Sequence, residues 1–420
     1  MNILKYQKTS LTLLTIVVVF FPKYSQAQSS LQEYFTLAAE QNPGLQAQYA
    51  RFEAAMQQID QVNSLEDPTL SFGYFISPVE TRVGPQRARF SFNQKFPWFG
   101  TLKARGDVAA LQAEAAYQTF IDARNQLYYQ VAAAYYPLYE LQQLIAIEQE
   151  NIELLQSYKQ IATSQFENAK GPMADVLRVD LRLKESETEV EILKEKREML
   201  FTTFNMLLDR EPLAPVKIMD TLTMADFNEP GLTDSLFAGH PQLRELALQQ
   251  KAMQAKERVA QLQGMPRLGF GLDYVLVDER AGTEMPDNGK DVLMPTVTVS
   301  IPIFRKQYQA RQKEAQLMQE AYARQEQAAR NSLTDSYQQT LFELYKNRQY
   351  IELYQEQTAQ TQQVLNLMFS AYANDGQDFE ELLRVQQQLL KYRRLLAEAI
   401  RQYQEQLAEL DYILGKEKNS

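Results

Sequence analysis

Two hydrophobic periods divide this chain. Between residues 101 and 170 apolar side chains recur every three or four positions, as in Leu141, Leu144, Ile145, Ile152 and Leu155, with Glu148 in the same row. That spacing gives a stripe along one face of an α-helix rather than an apolar cylinder. Pro137 and Gly106 are the stretch's only proline and glycine, so an uninterrupted rod of about 105 Å follows from 1.5 Å per residue. Pro137 is the place for a kink in it. No compact domain holds such a rod, and a helical pattern of this length suggests a coiled coil. Elsewhere the period is two. Leu70, Phe72, Tyr74 and Ile76 alternate with Ser71, Gly73 and Phe75, and Phe90, Phe92 and Phe96 alternate with Arg89, Ser91, Asn93 and Lys95. Leu268, Phe270, Leu272, Tyr274 and Leu276 do the same, as do Val297, Val299 and Ile301. Strands are expected at about 69–76, 87–96, 267–276 and 292–301, each with one apolar and one polar face.

These segments occur twice in the same order. Asn42-Pro43-Gly44-Leu45 returns as His240-Pro241-Gln242-Leu243, and Pro68-Thr69-Leu70-Ser71-Phe72-Gly73 as Pro266-Arg267-Leu268-Gly269-Phe270-Gly271, both at an offset of 198. Phe96-Pro97-Trp98-Phe99 matches Ile301-Pro302-Ile303-Phe304, and Gly171 matches Gly376. Asp175-Val176-Leu177-Arg178-Val179 matches Glu381-Leu382-Leu383-Arg384-Val385 at an offset of 206, so the second copy has a longer loop between its strands. Ordered matches of this kind mark a duplicated chain. The first repeat spans 28–228, with a helical hairpin over 101–209 and its tip at Gly171. The second spans 229–420, with a hairpin over 304–414 and its tip at Gly376. At the first tip Gly171 suits the position after a helix, and Pro172 the start of the next. The return helix, 174–208, covers about 52 Å and the helix over 43–64 about 33 Å. Stacked end to end, the two short helices nearly match the long one.

The N-terminus reads as an export signal. Lys5 and Lys8 precede an apolar run over 11–21, and Ser25-Gln26-Ala27 supplies the small residues of a cleavage site. Residues 1–27 fit a signal peptide, too short in its apolar run to span a bilayer, with the mature chain starting near Gln28. A buried N-terminal helix is the plainer alternative. No later stretch approaches the roughly 20 apolar residues of a membrane helix. Composition then removes most chemistry. With no Cys there is no disulfide, thiolate metal site or Cys-linked lipid anchor, and one His rules out a multi-His metal site. A net charge of −10 argues against nucleic acid as a partner. No nucleophile–base pair or cofactor motif stands out, so an enzyme is not expected. Gly269-Phe270-Gly271 lies in a strand with no following helix to cradle a phosphate.

Four alternating segments of about ten residues have the form of membrane β-barrel strands, although a half-buried sheet on a soluble core shows the same alternation. Export, absence of cysteine and lack of membrane helices favour the barrel. Four strands cannot close one, and lipid does not tolerate open edges, so the chain must assemble with copies of itself. Two copies give eight strands and a filled interior; three give twelve and a lumen. The segments 77–86 and 277–291 would then be loops at the outer mouth. Phe96, Trp98 and Phe99, where strand becomes helix, suit an aromatic belt at the membrane interface, while core packing at the bend explains Trp98 equally well.

The duplicated half, the Asn42-Pro43 opening, the Phe96-Pro97-Trp98-Phe99-Gly100 junction, the Gly171…Asp175-Val176-Leu177 tip and the Asn205-Met206-Leu207-Leu208 ending together resemble TolC-like outer membrane factors. The resemblance covers essentially the whole mature chain. It implies a mainly α fold with a membrane β-barrel portion, assembled as a homotrimeric α/β-barrel duct. The barrel would lie in the outer membrane of a Gram-negative-type cell, with the helices crossing the periplasm. Such ducts serve tripartite efflux or type I secretion, passively and without a cofactor, joined to a periplasmic adaptor and an inner-membrane transporter. The chain departs from relatives that carry a lipidated N-terminal Cys. It also places Glu381 and Arg384 where some members carry an aspartate pair at the gate. A soluble periplasmic coiled-coil scaffold or adaptor is the competing reading, and it leaves the paired strands unexplained.

On this reading the hairpin tips are the expected site of adaptor docking and gating. Lys170, Gly171, Asp175 and Arg178 form one, and Asp375, Gly376, Asp378, Glu381 and Arg384 the other. In a three-fold ring like charges repel while Arg–carboxylate pairs hold the end shut, and Asp375 and Asp378 could make a substitute acidic ring. Exposed helix turns are also simply charged. His240, aligned with Asn42 before a proline, is expected to start a helix. Glu185, Glu187, Glu189 and Glu191 spread round a helix rather than converging on a metal. The connector over 211–239, with Pro212, Pro215 and Pro230, is expected to wrap the helices as a belt.

Overall fold

The computed structural model describes residues 26–222, 224, 231, 236–282, 284–375 and 379–416. Most of the expected leader, 1–25, and tip residues Gly376 and Asp378 lie outside them. The first half comprises α1 (Gln26–Gln41), α2 (Pro43–Asn63), β1 (Thr69–Thr81), β2 (Gly84–Phe96), α3 (Thr101–Glu167) and α4 (Met173–Leu207). The second comprises α5 (Pro241–Gln263), β3 (Arg267–Val277), β4 (Val292–Ser300), α6 (Lys306–Asp375) and α7 (Phe379–Ile413).

The matched Asn-Pro and His-Pro openings are helix caps. Asn42 Oδ1 accepts from the Leu45 amide at 3.0 Å, and His240 Nδ1 from the Gln242 amide at 3.3 Å, each with proline in the first turn. Burial holds the His240 imidazole at a pKa of about 4, so it caps as a neutral acceptor. α3, at 67 residues, and α6, at 70, are rods of about 100 Å, and α3 runs unbroken through Pro137. α2 covers the first part of α3, where Tyr49 meets Phe120 and Phe52 meets Tyr117; α4 covers the remainder, where Asn151 donates to Ser186 at 2.7 Å. α3 also packs on α5 and α7, and these two pack on α6.

α1 is an element that the sequence reading did not place. Leu31, Phe35 and Ala38 lie on one helical face and bury against Val131, Tyr135 and Leu138 of α3. The connector's first part also lies on this cluster. The Tyr34 hydroxyl accepts from the Lys217 amide at 2.8 Å, the Tyr135 hydroxyl from the Met219 amide at 2.9 Å, and Asn205 Nδ2 donates to the Pro212 and Ala214 carbonyls at 2.9 Å. Residues 223, 225–230 and 232–235 of the connector are outside the described set.

The strands form one antiparallel sheet in the order β1-β2-β3-β4, and β2–β3 pairing from Gln86↔Val277 to Phe96↔Leu268 joins the halves. The segment 77–86 is not the expected loop: β1 continues to Thr81, β2 starts at Gly84, and the turn is Arg82-Val83. Pro78 and Pro85 disguised these strand ends. An edge strand tolerates Pro78 because its N–H is not needed, and a register shift between Tyr74 and Val79 absorbs the irregularity. Gly84, at φ 123°, makes the tight return possible; a Cβ there would lie 1.9 Å from the Asp278 carbonyl oxygen. The apolar face of the sheet, including Leu70, Phe72, Phe270 and Val297, is exposed, and Ile76 reaches 92 %. On the other face Arg89 makes a bidentate contact with Asp273, Nε at 3.2 Å and Nη2 at 2.6 Å, joined by Ser91 Oγ.

Candidate functional site

The hairpin ends opposite the sheet are shaped by backbone geometry first. α3 closes with the Asn168 amide bonded to Ser164 O at 3.1 Å, and the Lys170 and Gly171 amides to Gln165 O at 2.8 and 3.2 Å. The left-handed residue of this turn is Ala169, at φ 55°, not Gly171 as the usual helix-ending rule suggests. Gly171 serves close approach instead: a Cβ on it would sit 3.2 Å from the Gln165 Cβ. Pro172 caps α4, and the next turn brings Asp175 inward.

Asp175 is buried, and Arg178 Nη1 donates to its Oδ1 at 3.1 Å. The other arm of the guanidinium, Nη2, lies 3.1 Å from Glu380 Oε2 in the first turn of α7. One arginine thus ties the first tip to the second hairpin. Beneath it lies an aromatic layer: Tyr372 against Phe379 at 4.7 Å, and Tyr158 against Phe369 at 5.4 Å. Burial, with the Asp175 charge second, raises the Tyr372 phenol above its ordinary range. Glu381 and Arg384 pair with each other along α7 and do not form the bridge; Glu380, their neighbour, does. Lys170 is exposed with no ion pair among the described residues, and Asp375 is the last residue of α6.

Farther up, α3 is held to α7 by a ladder of charges. Glu148 is 0 % exposed, and its Oε1 accepts from Arg394 Nε at 2.9 Å and from Nη2. Glu189 of α4 approaches the same guanidinium at 3.9 Å. Glu150 takes Arg393 at 2.5 Å and Glu140 takes Arg401 at 2.7 Å. Glu185, Glu187 and Glu191 pair with neighbours on their own helix. The two faces that close on nothing within the chain are also defined. Leu181 and Ile192 of α4, and Phe342, Tyr345 and Leu367 of α6, remain exposed, Leu367 at 73 %.

Among the described residues no cluster of acids and histidine could hold a metal ion. The arrangement is mechanical: two long hairpins latched at one end and a lipid-compatible sheet at the other. The family model for outer membrane efflux proteins matches residues 35–197 and 232–416, most of the chain and both halves of the duplication. The protein belongs to the outer membrane efflux protein family. No curated protein matches this family member, but solved structures share its fold. The outer-membrane channel OprN superposes with a TM-score of 0.75 at 18 % identity, over 93 % of this chain and 90 % of that one. VceC from Vibrio cholerae gives 0.75 at 16 % identity, over 93 % and 97 %. MtrE from Neisseria gonorrhoeae, in its open state, gives 0.72 at 17 % identity, over 92 % and 89 %. This efflux protein therefore shares the mainly helical fold of those channels, its described strands gathered in one four-stranded sheet. The soluble-scaffold reading does not survive the family assignment.

Proposed function

We propose that three copies of the chain assemble into one duct. The barrel portion lies in the outer membrane and the helices extend across the periplasm to an adaptor and an inner-membrane transporter. The observation that carries this is the sheet. It leaves β1 and β4 as open edges, and its exposed face is apolar along its length, a combination that lipid accepts only when edges meet edges. Three copies make twelve strands and leave a lumen. The exposed apolar faces of α4 and α6 supply the matching seam between neighbouring copies below the membrane.

The tips are the closed end in this reading. Asp175, Arg178 and Glu380 hold the two hairpins of one copy together, and Lys170, Glu381 and Arg384 present exposed charge to an adaptor. Opening separates the hairpins and breaks the Arg178 bridge. Phe99, exposed at 78 %, marks the membrane level at the strand–helix junction, with Trp98 packed edge-on to it at 5.8 Å and Phe96 against Phe270. The mature chain is held by its barrel and not by a Cys-linked lipid. Planar-bilayer recording of the purified oligomer tests the reading: small, flickering conductance is expected from a duct shut at its tips, and a protein that never inserts refutes it.

A further inference from the structure

At the junction of sheet and helices the chain forms a small, open-sided recess. Lys95 from the end of β2, Arg267 from the start of β3 and Arg105 from the second turn of α3 line it, opposed by a single carboxylate, Glu66. None of the three cations has an ion pair among the described residues. Thr101, the first residue of α3, also lines the recess; it is 2 % exposed, and its hydroxyl has no hydrogen-bond partner there. Gly100, at φ 80°, precedes it and offers no side chain to cap the helix. A buried free hydroxyl costs free energy unless something occupies it. Here it stands at the positive end of a helix dipole among three cations, an arrangement that suits a tetrahedral oxyanion.

We propose that this recess binds a phosphate-bearing anion, supplied by an anionic phospholipid headgroup or by a soluble phosphate. The headgroup source rests on the membrane placement proposed above, since the recess lies where strands become helices; the soluble source does not.

Trp98 lines the same recess and is the chain's one tryptophan, so its fluorescence reports occupancy directly. The detergent-extracted oligomer is titrated with inorganic phosphate against chloride at fixed ionic strength. It is then placed in nanodiscs of phosphatidylcholine with rising phosphatidylglycerol. A saturable Trp98 change in either arm is expected, the first identifying a soluble anion and the second alone a headgroup. The double variant Arg105→Gln/Arg267→Gln should raise half-saturation by at least about tenfold. Thr101→Val, nearly isosteric, should raise it too, and keeps the test open if the double variant misfolds. A flat signal in both arms, or an equal response to chloride or in Thr101→Val, overturns the site. Oligomeric mass and conductance, measured on the same samples, report the duct reading separately.

Discussion

Removing the Arg178 side chain should open the tips. Arg178 makes two charge-assisted contacts at 3.1 Å, one to buried Asp175 and one to Glu380 on the other hairpin. The guanidinium side chain is 46 % exposed, so each contact is far from its dry-interior strength. The Glu380 arm, exposed on both sides, contributes a few tenths to about 1 kcal/mol. The Asp175 arm lies within α4 and survives opening; it holds the guanidinium in place for the other arm. The bridge between hairpins therefore favours the closed form by a few tenths to about 1 kcal/mol in each copy. If three copies open together, Arg178→Ala shifts the equilibrium by about 1–3 kcal/mol, or about one to two decades. Single-channel recording should show longer open times and higher mean conductance. Glu380→Gln should show a similar effect, because the Glu380 arm is the one that crosses between the hairpins. Unchanged gating in Arg178→Ala would show that the bridge does not latch the tips.

The other expectations are independent of this one. Ala169→Gly should stabilise the first tip by roughly 0.5–1 kcal/mol, because glycine relieves the left-handed backbone at φ 55°. Gly171→Ala should destabilise it against Gln165, and thermal unfolding of the pair compares both directly. Arg394→Ala should lower thermal stability more than any tip substitution, by about 2–3 kcal/mol after allowing for its partly exposed guanidinium, because it leaves the buried Glu148 carboxylate without its main partner. Asp122 has its pKa raised to about 6 by burial and, second, by Glu245. A raised acid in the folded state makes stability fall as pH rises from about 4 to 6. Asp122→Asn should therefore gain about 1–2 kcal/mol over wild type at pH 7, and the gap should close by pH 4. A gap independent of pH in paired melts would rule out Asp122 as its source.

How far these features can be read from sequence depends on how local their causes are. The alternation from Leu70 to Ile76 and the near absence of proline and glycine between Thr101 and Lys170 are properties of consecutive residues, so strand and rod are legible from them. Pro78 misled because an edge strand absorbs proline, and Pro85 because it falls at the very start of β2, the other place in a strand where proline is tolerated. At the tip, Gly171 drew attention as a helix terminator, yet the strained residue is Ala169, since the hydrogen bonds to Gln165 O decide which position turns left-handed. Asp175 and Arg178 are three apart on one helix and could be paired by spacing. Glu380 lies two hundred residues away, and only the packing of one hairpin on the other brings it to Arg178. Glu148 showed a partial signal, as a charge in an otherwise apolar row, and the structure supplies the reason in Arg394. The recess at Thr101 gave no signal at all, because it is assembled from strand ends and helix starts of both halves.

In the proposed duct, other copies of the same chain complete the sheet's open edges. The most direct test is the mass of the protein extracted from membranes. A detergent-dependent particle of three times the chain mass of 48.5 kDa, less any leader removed on export, is expected. A monomer released by salt alone would contradict it, because β1 and β4 would then have no partners and the apolar face no lipid.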